Sequence, residues 1–435
     1  MLRVLHYREV FSVRSETFIY DLLGDLERSG RVDGWVLCHR RRLRFARPFP
    51  KVRIVRDGLL ARLGARLRGT GSQPAVLSDP RATAAALDEL RPDVIHAHMG
   101  ASGARLVDIA GEIPLVVSFH GADVTALPRT DAVYRAALER LRARAPWCTT
   151  PTVWLAERLA ALGFDRDRIR VVANAVHPSF MAAGEAGLVV PRQRLRVVHV
   201  GRFVDEKGQV DLIDAMALVS RSTEVSLTLV GYGPLLDDAR RRARALGLGD
   251  RVRFTGFVAH ARLPALLREH DLYVQPSRVG RDGRAESFGV AAVEALAAGL
   301  PVIVTDVGGL PSAIGGADGA RRFVVPAGDT AALARAILDV PREMPPLPVR
   351  RAIDEHLATL APAARTQSIL ALYDTALGQN RDAEDTLGTN PRAARHQRSA
   401  SQMNACRGGN SVSSVVSVAA SGASSRAAKR PAALR

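Results

Sequence analysis

Short apolar runs alternate with helical patterns through most of the chain, and this alternation restricts the possible fold more than any other feature. Each run is bounded by Gly, Pro or polar residues, as expected of strands buried on both faces. The runs form two series, RVLHY, GWVLC, DVIHAH, PLVVSFH, WCTTPT and IRVVAN, then LRVVHVG, SLTLVG, VRFTG, LYVQPS, PVIVTD and RRFVVP. The pattern predicts an α/β protein with two doubly wound, parallel-sheet domains.

The domain limits follow from the same pattern. A polar link with Gly and Pro interrupts the strand series near residue 190, so we expect a first domain at 1–190 and a second at 191–345. A Pro-rich piece then leads into a helical segment at 346–377. The remainder, 378–435, is rich in Ser, Ala, Gly and Arg and poor in large apolar residues, which predicts a disordered basic tail.

The N-terminal sequence and the cysteines bear on where the protein works. MLRVLHYREVFSV lacks the apolar segment of a signal peptide, and no run of about 18 apolar residues follows it. Cys38, Cys148 and Cys406 are far apart and match no metal-ligand spacing. These observations predict a cytoplasmic protein that is neither exported nor membrane-spanning.

The net charge of +17 requires an acidic partner or reflects an Arg-rich composition. Aromatic residues are only 5% of the chain, which disfavours nucleic acid as the partner of the body and leaves it open only for the basic tail. An anionic membrane surface or a lipid-linked substrate fits better. The basic stretches at 39–47 and 57–69 could form an amphipathic membrane surface, and the alternative for 57–69 is an ordinary surface helix.

The stretch ESFGVAAVEALAAGLPVIVTDVGG, residues 286–309, carries the most chemistry. Glu286 and Glu294 are eight positions apart, about 2.2 helical turns, so a helix places them on nearly one face. The amides of the helix N-terminus between them can bind an anion. Carboxylates suit sugar and ribose hydroxyls, and amides suit a pyrophosphate, so the stretch favours a sugar diphosphate.

Cations and glycines follow two strands of the second series. Arg202 and Lys207, in HVGRFVDEKG, lie where ligands of open α/β sheets bind and could offset a diphosphate, or they are solvated loop charges. Gly231 and Gly233, in LTLVGYGP, allow close backbone approach to a ligand, or they form an ordinary tight turn.

Polar residues also follow strands of the first series. His120, followed by Gly121 and Asp123, is a candidate for the reaction site, and the alternative is a structural histidine. His96 and His98 are interpreted as pocket wall or satisfied polar groups, because an HxH pair without a third ligand nearby is weak support for zinc.

The loop after the first strand is the remaining candidate. Ser15 can cap the helix that begins there, with Glu16 and Thr17 in its first turn. Ordinary capping and acceptor binding both account for these residues. We therefore keep Glu16, Thr17 and Asp123 as candidates for binding an acceptor.

Four motifs together resemble glycosyltransferase family 4, whose members have the GT-B fold. They are HGAD from His120, GRFVDEKG from Gly201, GYGP from Gly231 and E-x₇-E from Glu286, in the order of that family. The resemblance covers about residues 1–377, and FSVRSETFI is similar to a subgroup acting in exopolysaccharide or colanic-acid-type assembly. It implies two Rossmann-like domains that face each other across a cleft, with a C-terminal helix crossing back to the first.

The same resemblance implies the substrates and the reaction. The donor would be a nucleotide-diphosphate sugar and the acceptor a lipid-linked, polysaccharide or other glycan. The sugar would be transferred with retention of its anomeric configuration, without a metal or cofactor. The protein would work in the cytoplasm, and the inner face of the membrane would be a possible partner.

The family pattern also assigns roles to particular residues. The diphosphate would be held by Arg202 and Lys207 together with the backbone amides of Phe288, Gly289 and Val290. Glu294 would bind the ribose hydroxyls and Glu286 the donor sugar. His120 would line the reaction centre.

Some positions depart from that family pattern. NAVH begins at Asn174 where NGVD is common, and Ser312 follows Pro311 where a carboxylate is frequent. These changes bear on donor and acceptor identity. Other readings are a phosphorylase or a sugar-phosphate synthase, and a non-catalytic nucleotide-sugar-binding or scaffold protein of the same fold.

Overall fold

The computed structural model describes residues 1–13, 16–55, 80–184, 194–319, 321–340 and 347–378. Predictions made for Ser15, for the segment 57–69 and for the tail beyond Gly378 lie outside these residues.

The first domain is built on a seven-stranded parallel sheet in the order β5-β3-β1-β6-β7-β8-β9, beside a small β2-β4 pair. The strands are β1 Leu2–Tyr7, β2 Val10–Phe11, β3 Val32–Cys38, β4 Arg40–Arg41, β5 Val52–Ile54, β6 Val94–His98, β7 Leu115–Ser118, β8 Trp147–Thr150 and β9 Ile169–Val171. The helices are α1 Thr17–Arg28, α2 Pro80–Leu90, α3 Gly100–Leu106, α4 Ala122–Thr125, α5 Leu127–Thr130, α6 Ala132–Ala143 and α7 Val153–Ala161.

The second domain has a six-stranded parallel sheet in the order β12-β11-β10-β13-β14-β15. Its strands are β10 Leu195–Val200, β11 Val225–Val230, β12 Val252–Gly256, β13 Leu272–Gln275, β14 Val302–Thr305 and β15 Arg322–Val325. The helices of the second half are α8 Pro178–Gly184, α9 Gln209–Val219, α10 Leu236–Ala245, α11 Leu263–Arg268, α12 Val290–Ala297, α13 Leu310–Ala313, α14 Thr330–Asp339, α15 Leu347–Thr359 and α16 Pro362–Ala376.

Helix α6 illustrates how local sequence produces these elements. Asp131 precedes the helix, and its side chain accepts a hydrogen bond from the backbone N–H of Tyr134 at 2.9 Å, which caps the first turn. Tyr134, Ala137, Leu138 and Leu141 recur at helical spacing and are all buried in the core of the first domain.

The order of the strands in each sheet indicates where a ligand crevice lies. The order of connection reverses between β1 and β6 in the first sheet, and between β10 and β13 in the second. Open parallel sheets bind ligands beyond the carboxyl ends of the strands at such switch points. The loops that matter are therefore those that follow β1, β6, β10 and β13, together with their neighbours.

The chain crosses between the domains twice, at adjacent points. Val176 and Phe180 already pack in the core of the second domain, so the chain enters that core before the predicted boundary of 190, itself outside the described residues. The return crossing lies between α15, whose Leu357 packs in the second domain, and α16. The backbone N–H of Val176 donates to the C=O of Leu360 at 2.9 Å, which joins the two crossings directly.

The predicted helical segment at 346–377 is thus two helices. Pro362 occupies the first turn of α16, where its fixed φ and missing N–H are tolerated, and this starts a new helix after the break. Ile369, Leu370, Leu372 and Tyr373 of α16 pack in a core cluster with first-domain strand residues.

The predicted fold class is confirmed: the described residues form two parallel α/β domains, and every predicted apolar run contains a strand. Three short strands were missed, Val10–Phe11, Arg40–Arg41 and Val52–Ile54. Among the helices that the structure describes, none has both the length and the apolarity needed to cross a membrane.

Candidate functional site

The candidate site lies where the strand-end loops of the two domains touch. Ser287, in the loop after β13, donates its hydroxyl to the C=O of His120 at 2.5 Å. Its own C=O accepts a hydrogen bond from Thr152 of the first domain at 3.0 Å. The turn that carries Glu286 therefore rests against the loop that carries His120.

Asp123 fixes the shape of the His120 loop. Its carboxylate accepts hydrogen bonds from the backbone N–H groups of Gly100 at 3.0 Å, His120 at 3.1 Å and Gly121 at 2.8 Å. Burial raises the pKa of Asp123, and these N–H donors oppose that rise. Because the carboxylate is taken up by the backbone, it acts in this structure on the loop itself, and its acceptor-binding role stays a prediction.

Among the described residues, the His120 ring is held by packing and not by hydrogen bonds. It lies 4.7 Å from the Phe18 ring, centroid to centroid, and both of its buried nitrogens lack a hydrogen-bond partner among the described residues. Burial and, secondarily, the charge of Arg8 lower the pKa of His120 to about 3. The ring is therefore neutral near pH 7, and neither nitrogen is engaged within the described part of the chain.

Glu286 is held by a cation and an amide. Its carboxylate forms an ion pair with Lys207 and accepts a hydrogen bond from the side-chain amide of Gln275 at 3.1 Å. Its C=O accepts from the N–H of Gly309 at 2.9 Å, and a Cβ at Gly308, where φ is +64°, would lie 1.9 Å from that same oxygen. The close approach explains the paired glycines that follow β14.

Gln275 is a site residue that the sequence interpretation missed. It is fully buried at the end of β13, and its side-chain oxygen accepts from the Tyr273 hydroxyl at 2.5 Å. Its amide nitrogen donates to Ser277 at 3.1 Å as well as to Glu286. A glutamine within the apolar run LYVQPS was the available signal, because a buried amide requires polar partners.

Arg202 and Lys207 follow β10, as predicted. The Arg202 side chain is 48% exposed, and a terminal nitrogen of its guanidinium lies 3.6 Å from Glu206. Its C=O accepts a hydrogen bond from Gln209 at 2.7 Å, which fixes the backbone of the loop. Arg202 is thus a solvent-facing cation, whereas Lys207 is already paired across the loops with Glu286.

The glycines after β11 allow two loops to meet. Gly231 and Gly233 have φ values of +140° and +156°. A Cβ at Gly231 would lie 1.9 Å from the C=O of Gly201, and one at Gly233 would lie 2.4 Å from that of Phe203. Here the glycines bring the GYGP loop onto the GRF loop, and contact with a donor stays a prediction.

The predicted amide site coincides with a helix start. Helix α12 begins at Val290, and Gly289 precedes it with φ of +81°. Phe288 is buried in the core of the second domain and anchors this turn. The N-terminus of α12 therefore follows directly after the Glu286 and Ser287 turn, at the cleft.

Glu294 lies farther along α12, and only 5% of it is exposed. Its Oε1 lies 2.7 Å from Nε2 of His260, in the loop after β12. None of the sequence motifs includes His260, because it lies 34 residues before Glu294 and belongs to no recognisable pattern.

Glu16 and Thr17 occupy the start of α1. Glu16 precedes the helix and is bonded by Arg8 through two hydrogen bonds, of 3.2 Å and 2.7 Å. Thr17 is the first residue of the helix and is partly buried. The Glu16 carboxylate is thus paired in this structure, and acceptor binding by either residue stays a prediction.

A third histidine joins His96 and His98, so the interpretation that no third ligand lies nearby is wrong. His6 of β1 pairs with His96 in register, and ring nitrogens of all three lie within 4.8 Å of one another. His96 is hydrogen-bonded on both sides, to Tyr373 and Ser118, each at 2.7 Å. Burial lowers the pKa of all three rings, and these contacts describe a network of neutral rings linking α16 to the His120 loop.

Two family models match, one on each domain. The model described as Glycosyltransferase Family 4 matches residues 15–180, and the model described as Glycosyl transferases group 1 matches residues 186–352. The fold is similar to that of Anabaena Alr3699/HepE in complex with UDP-glucose, with a TM-score of 0.59 and 19% identity over 92% of this chain and 100% of that one.

Two curated relatives are similar in sequence. A phosphatidyl-myo-inositol mannosyltransferase of Mycobacterium leprae is 33% identical over 52% of this chain, and the match spans 58% of that protein. A 2-deoxystreptamine N-acetyl-D-glucosaminyltransferase of Streptomyces fradiae is 33% identical over 68% of this chain and 74% of its own length. With matching family models on both domains, the chain belongs to the family 4 glycosyltransferases of the GT-B fold.

Proposed function

We propose that this protein transfers a sugar from a nucleotide-diphosphate sugar to a lipid-linked, polysaccharide or other glycan acceptor, with retention and without a metal. The observation that carries the proposal is the contact between the Glu286–Ser287 turn and the His120 loop. It supports the proposal because the turn that carries Glu286, paired with the cation Lys207, then lies against the loop that carries the neutral His120.

Binding of the donor would replace the ion pair between Lys207 and Glu286 with contacts to the donor. Lys207 is paired with Glu286 before the donor binds. A diphosphate would take over Lys207, with Arg202 and the N–H groups at the start of α12 as further donors, while hydroxyls of the sugar would take over Glu286. The negative charge of the leaving group would then be met without a metal ion.

The proposed retention would require the acceptor to attack on the leaving group's own face, without a covalent intermediate on Glu286. Glu286 is held by Lys207 and Gln275 as a positioning group, which disfavours a role as covalent nucleophile. His120 is neutral and would accept or donate a hydrogen bond at the sugar or its transition state. The acceptor hydroxyl would approach from the face of the leaving group and give its proton to a phosphate oxygen.

The acceptor side of the first domain has a basic, aromatic surface that fits an anionic membrane. Phe45 is 95% exposed, and the neighbouring Arg40, Arg42 and Arg44 are exposed as well. The Tyr20 hydroxyl of α1 donates to the C=O of Pro48 at 2.8 Å, which attaches this loop to α1. We propose peripheral attachment to the inner face of the membrane, and the name of the mycobacterial relative supports a lipid-linked acceptor.

A panel of nucleotide sugars tests the donor proposal. A true donor at 100 times its Kd stabilises the protein by about 2.7 kcal/mol, so it should raise the melting temperature and be slowly hydrolysed. A chelator should leave transfer unchanged, and NMR of the product should show the donor's anomeric configuration. Absence of stabilisation by every nucleotide sugar would contradict the proposal.

Two variants separate a transferase from a protein that only binds nucleotide sugars. Glu294→Ala should weaken donor binding, whereas His120→Ala should mainly slow transfer at an unchanged donor Kd. A non-catalytic protein would bind the donor without turnover in the wild type. Equal and negligible effects of both changes would refute the assigned roles.

A further inference from the structure

Glu294 is a buried carboxylate with one hydrogen-bond partner. Its Oε1 lies 2.7 Å from Nε2 of His260, and the described residues supply no partner for Oε2. A buried carboxylate that lacks sufficient partners is costly, so His260 is required even before any donor binds. Within the described residues, Oε1 of Glu294 is thus bonded to His260, and Oε2 has no hydrogen-bond partner.

Packing fixes the His260 ring. His260 begins a 3-10 turn at His260–Arg262, directly before α11. Its ring centroid lies 5.2 Å from that of Phe180 and 6.0 Å from that of His177, both contributed by the first crossing and α8. Phe180 is fully buried, and α8 packs against α12, which carries Glu294. The ring and the carboxylate are thus positioned by the same small core.

The charges of the pair support each other. Burial raises the pKa of Glu294, and the hydrogen bond and charge of His260 oppose that rise. Burial lowers the pKa of His260, but Glu294 outweighs it, and the net pKa is raised. Asp21 of the first domain raises the pKa of both groups, Arg47 lowers that of His260, and His177 lowers that of Glu294. His260 therefore helps to keep Glu294 ionised.

Building on the function proposed above, we infer that His260 is a positioning residue for the donor nucleotide, holding Glu294 by Oε1 so that Oε2 can accept a ribose hydroxyl. A carboxylate held at one oxygen keeps its plane, and the second oxygen then meets the hydroxyl without further ordering. The contribution of His260 to donor affinity would therefore depend on the presence of the ribose hydroxyls.

The test compares ribose and dideoxyribose nucleotides. Kd is measured for UDP and GDP, and for their 2′,3′-dideoxy forms, on the wild type, His260→Phe, His260→Gln and His177→Phe. Phe retains a ring against Phe180 but cannot donate, whereas Gln retains a donor. His177→Phe is the matched control, because its ring neighbours His260 and its Nδ1 contacts Ser179 rather than Glu294.

We expect His260→Phe to weaken binding of the ribonucleotide about tenfold or more, as for loss of a hydrogen bond to a charged group. The dideoxy form should lose less than about twofold, His260→Gln should recover most of the affinity, and His177→Phe should match the wild type. With the full donor, KM should rise at little change in kcat.

An equal loss for ribose and dideoxyribose forms, or no loss in His260→Phe, would overturn the inference while leaving the transferase proposal intact. If the wild type binds neither UDP nor GDP nor any nucleotide sugar, the proposed function fails and the inference with it. Should His260→Phe not fold, a loss of affinity in His260→Gln that is larger for the ribonucleotide than for the dideoxy form, and that His177→Phe does not show, still supports the inference, and its absence contradicts it.

Discussion

Four buried histidines should make the protein take up protons when it unfolds in mild acid. His6, His96, His98 and His199 are at most 1% exposed. Burial lowers the pKa of His6 to about 3 and that of His199 to about 4, and it lowers those of His96 and His98 well below the usual 6.5. The folded protein therefore keeps all four neutral at pH 5.5, whereas the unfolded chain protonates them.

The magnitude follows from proton linkage. An unfolded histidine of pKa 6.5 carries about 0.9 proton at pH 5.5, so the four should account for uptake of between three and four protons. Because their folded pKa values are depressed, the stabilising contribution is present above pH 6.5 and is lost as the pH falls below it. Between pH 7.0 and 5.5 each costs about 1.2 kcal/mol, about 5 kcal/mol together, comparable with the stability of a small domain.

Potentiometric measurement of proton uptake during unfolding in denaturant is the suitable assay. Uptake depends only on the initial and final states, so it does not require that the two domains unfold together. Replacing one of the four, in His98→Gln, should lower the uptake at pH 5.5 by about 0.9 proton.

The Cys148→Ala variant, which removes a buried side chain of the first domain, is the control for that measurement. Burial raises the pKa of the Cys148 thiol, so the thiol keeps its proton at pH 5.5 in both the folded and the unfolded state, and its removal should change the uptake by less than about 0.1 proton. If the two variants change the uptake equally, or if His98→Gln changes nothing, the histidines are not the buried neutral groups described above.

Two further changes test how the site and the domain connection are held. Gln275→Leu removes a hydrogen bond to Glu286, so kcat of the folded variant should fall about 10- to 100-fold. The lost hydrogen bonds with Tyr273 and Ser277 should lower the melting temperature by a few degrees, and an unchanged kcat would remove Gln275 from the site. Arg365→Met leaves the partly buried Asp25 with Arg28 as its remaining ion-pair partner among the described residues and should lower the free energy of unfolding by about 2–3 kcal/mol in urea denaturation, which a second change, Asp25→Leu, should largely restore. Failure of the double variant to recover stability would show that packing, not charge, dominates there.

The strands of both sheets were predictable from the sequence because continuous apolar runs between turn residues have few other structural solutions. The missed strand Val52–Ile54 is short and includes a charged residue, and β2 and β4 contain two residues each, so local composition does not distinguish them from loops. Glu286 and Lys207 were predictable as candidates because each follows a strand in a marked motif. Their direct pairing was not, because it joins residues 79 positions apart.

Gln275, His260 and His6 were missed for a related reason. Each acts through a partner that is remote in the chain, and none belongs to a pattern with a fixed spacing. His6 and His96 meet because β1 and β6 are neighbours in the sheet, which strand order determines and apolar patterning does not. The motifs identified the positions for which we propose donor contact, whereas the residues that hold those positions are recognised only after folding.

The hydrogen bond between Val176 and Leu360 has a mechanical consequence. Two covalent connections that pass side by side form a hinge. They resist sliding and separation of the domains, so rotation about their common line is the easiest relative motion. Such a swing would separate or rejoin the loops that carry the contact between His120 and Ser287. Opening of the cleft by this motion would break the hydrogen bonds that Ser287 makes with His120 and Thr152, and closure would restore the same partners.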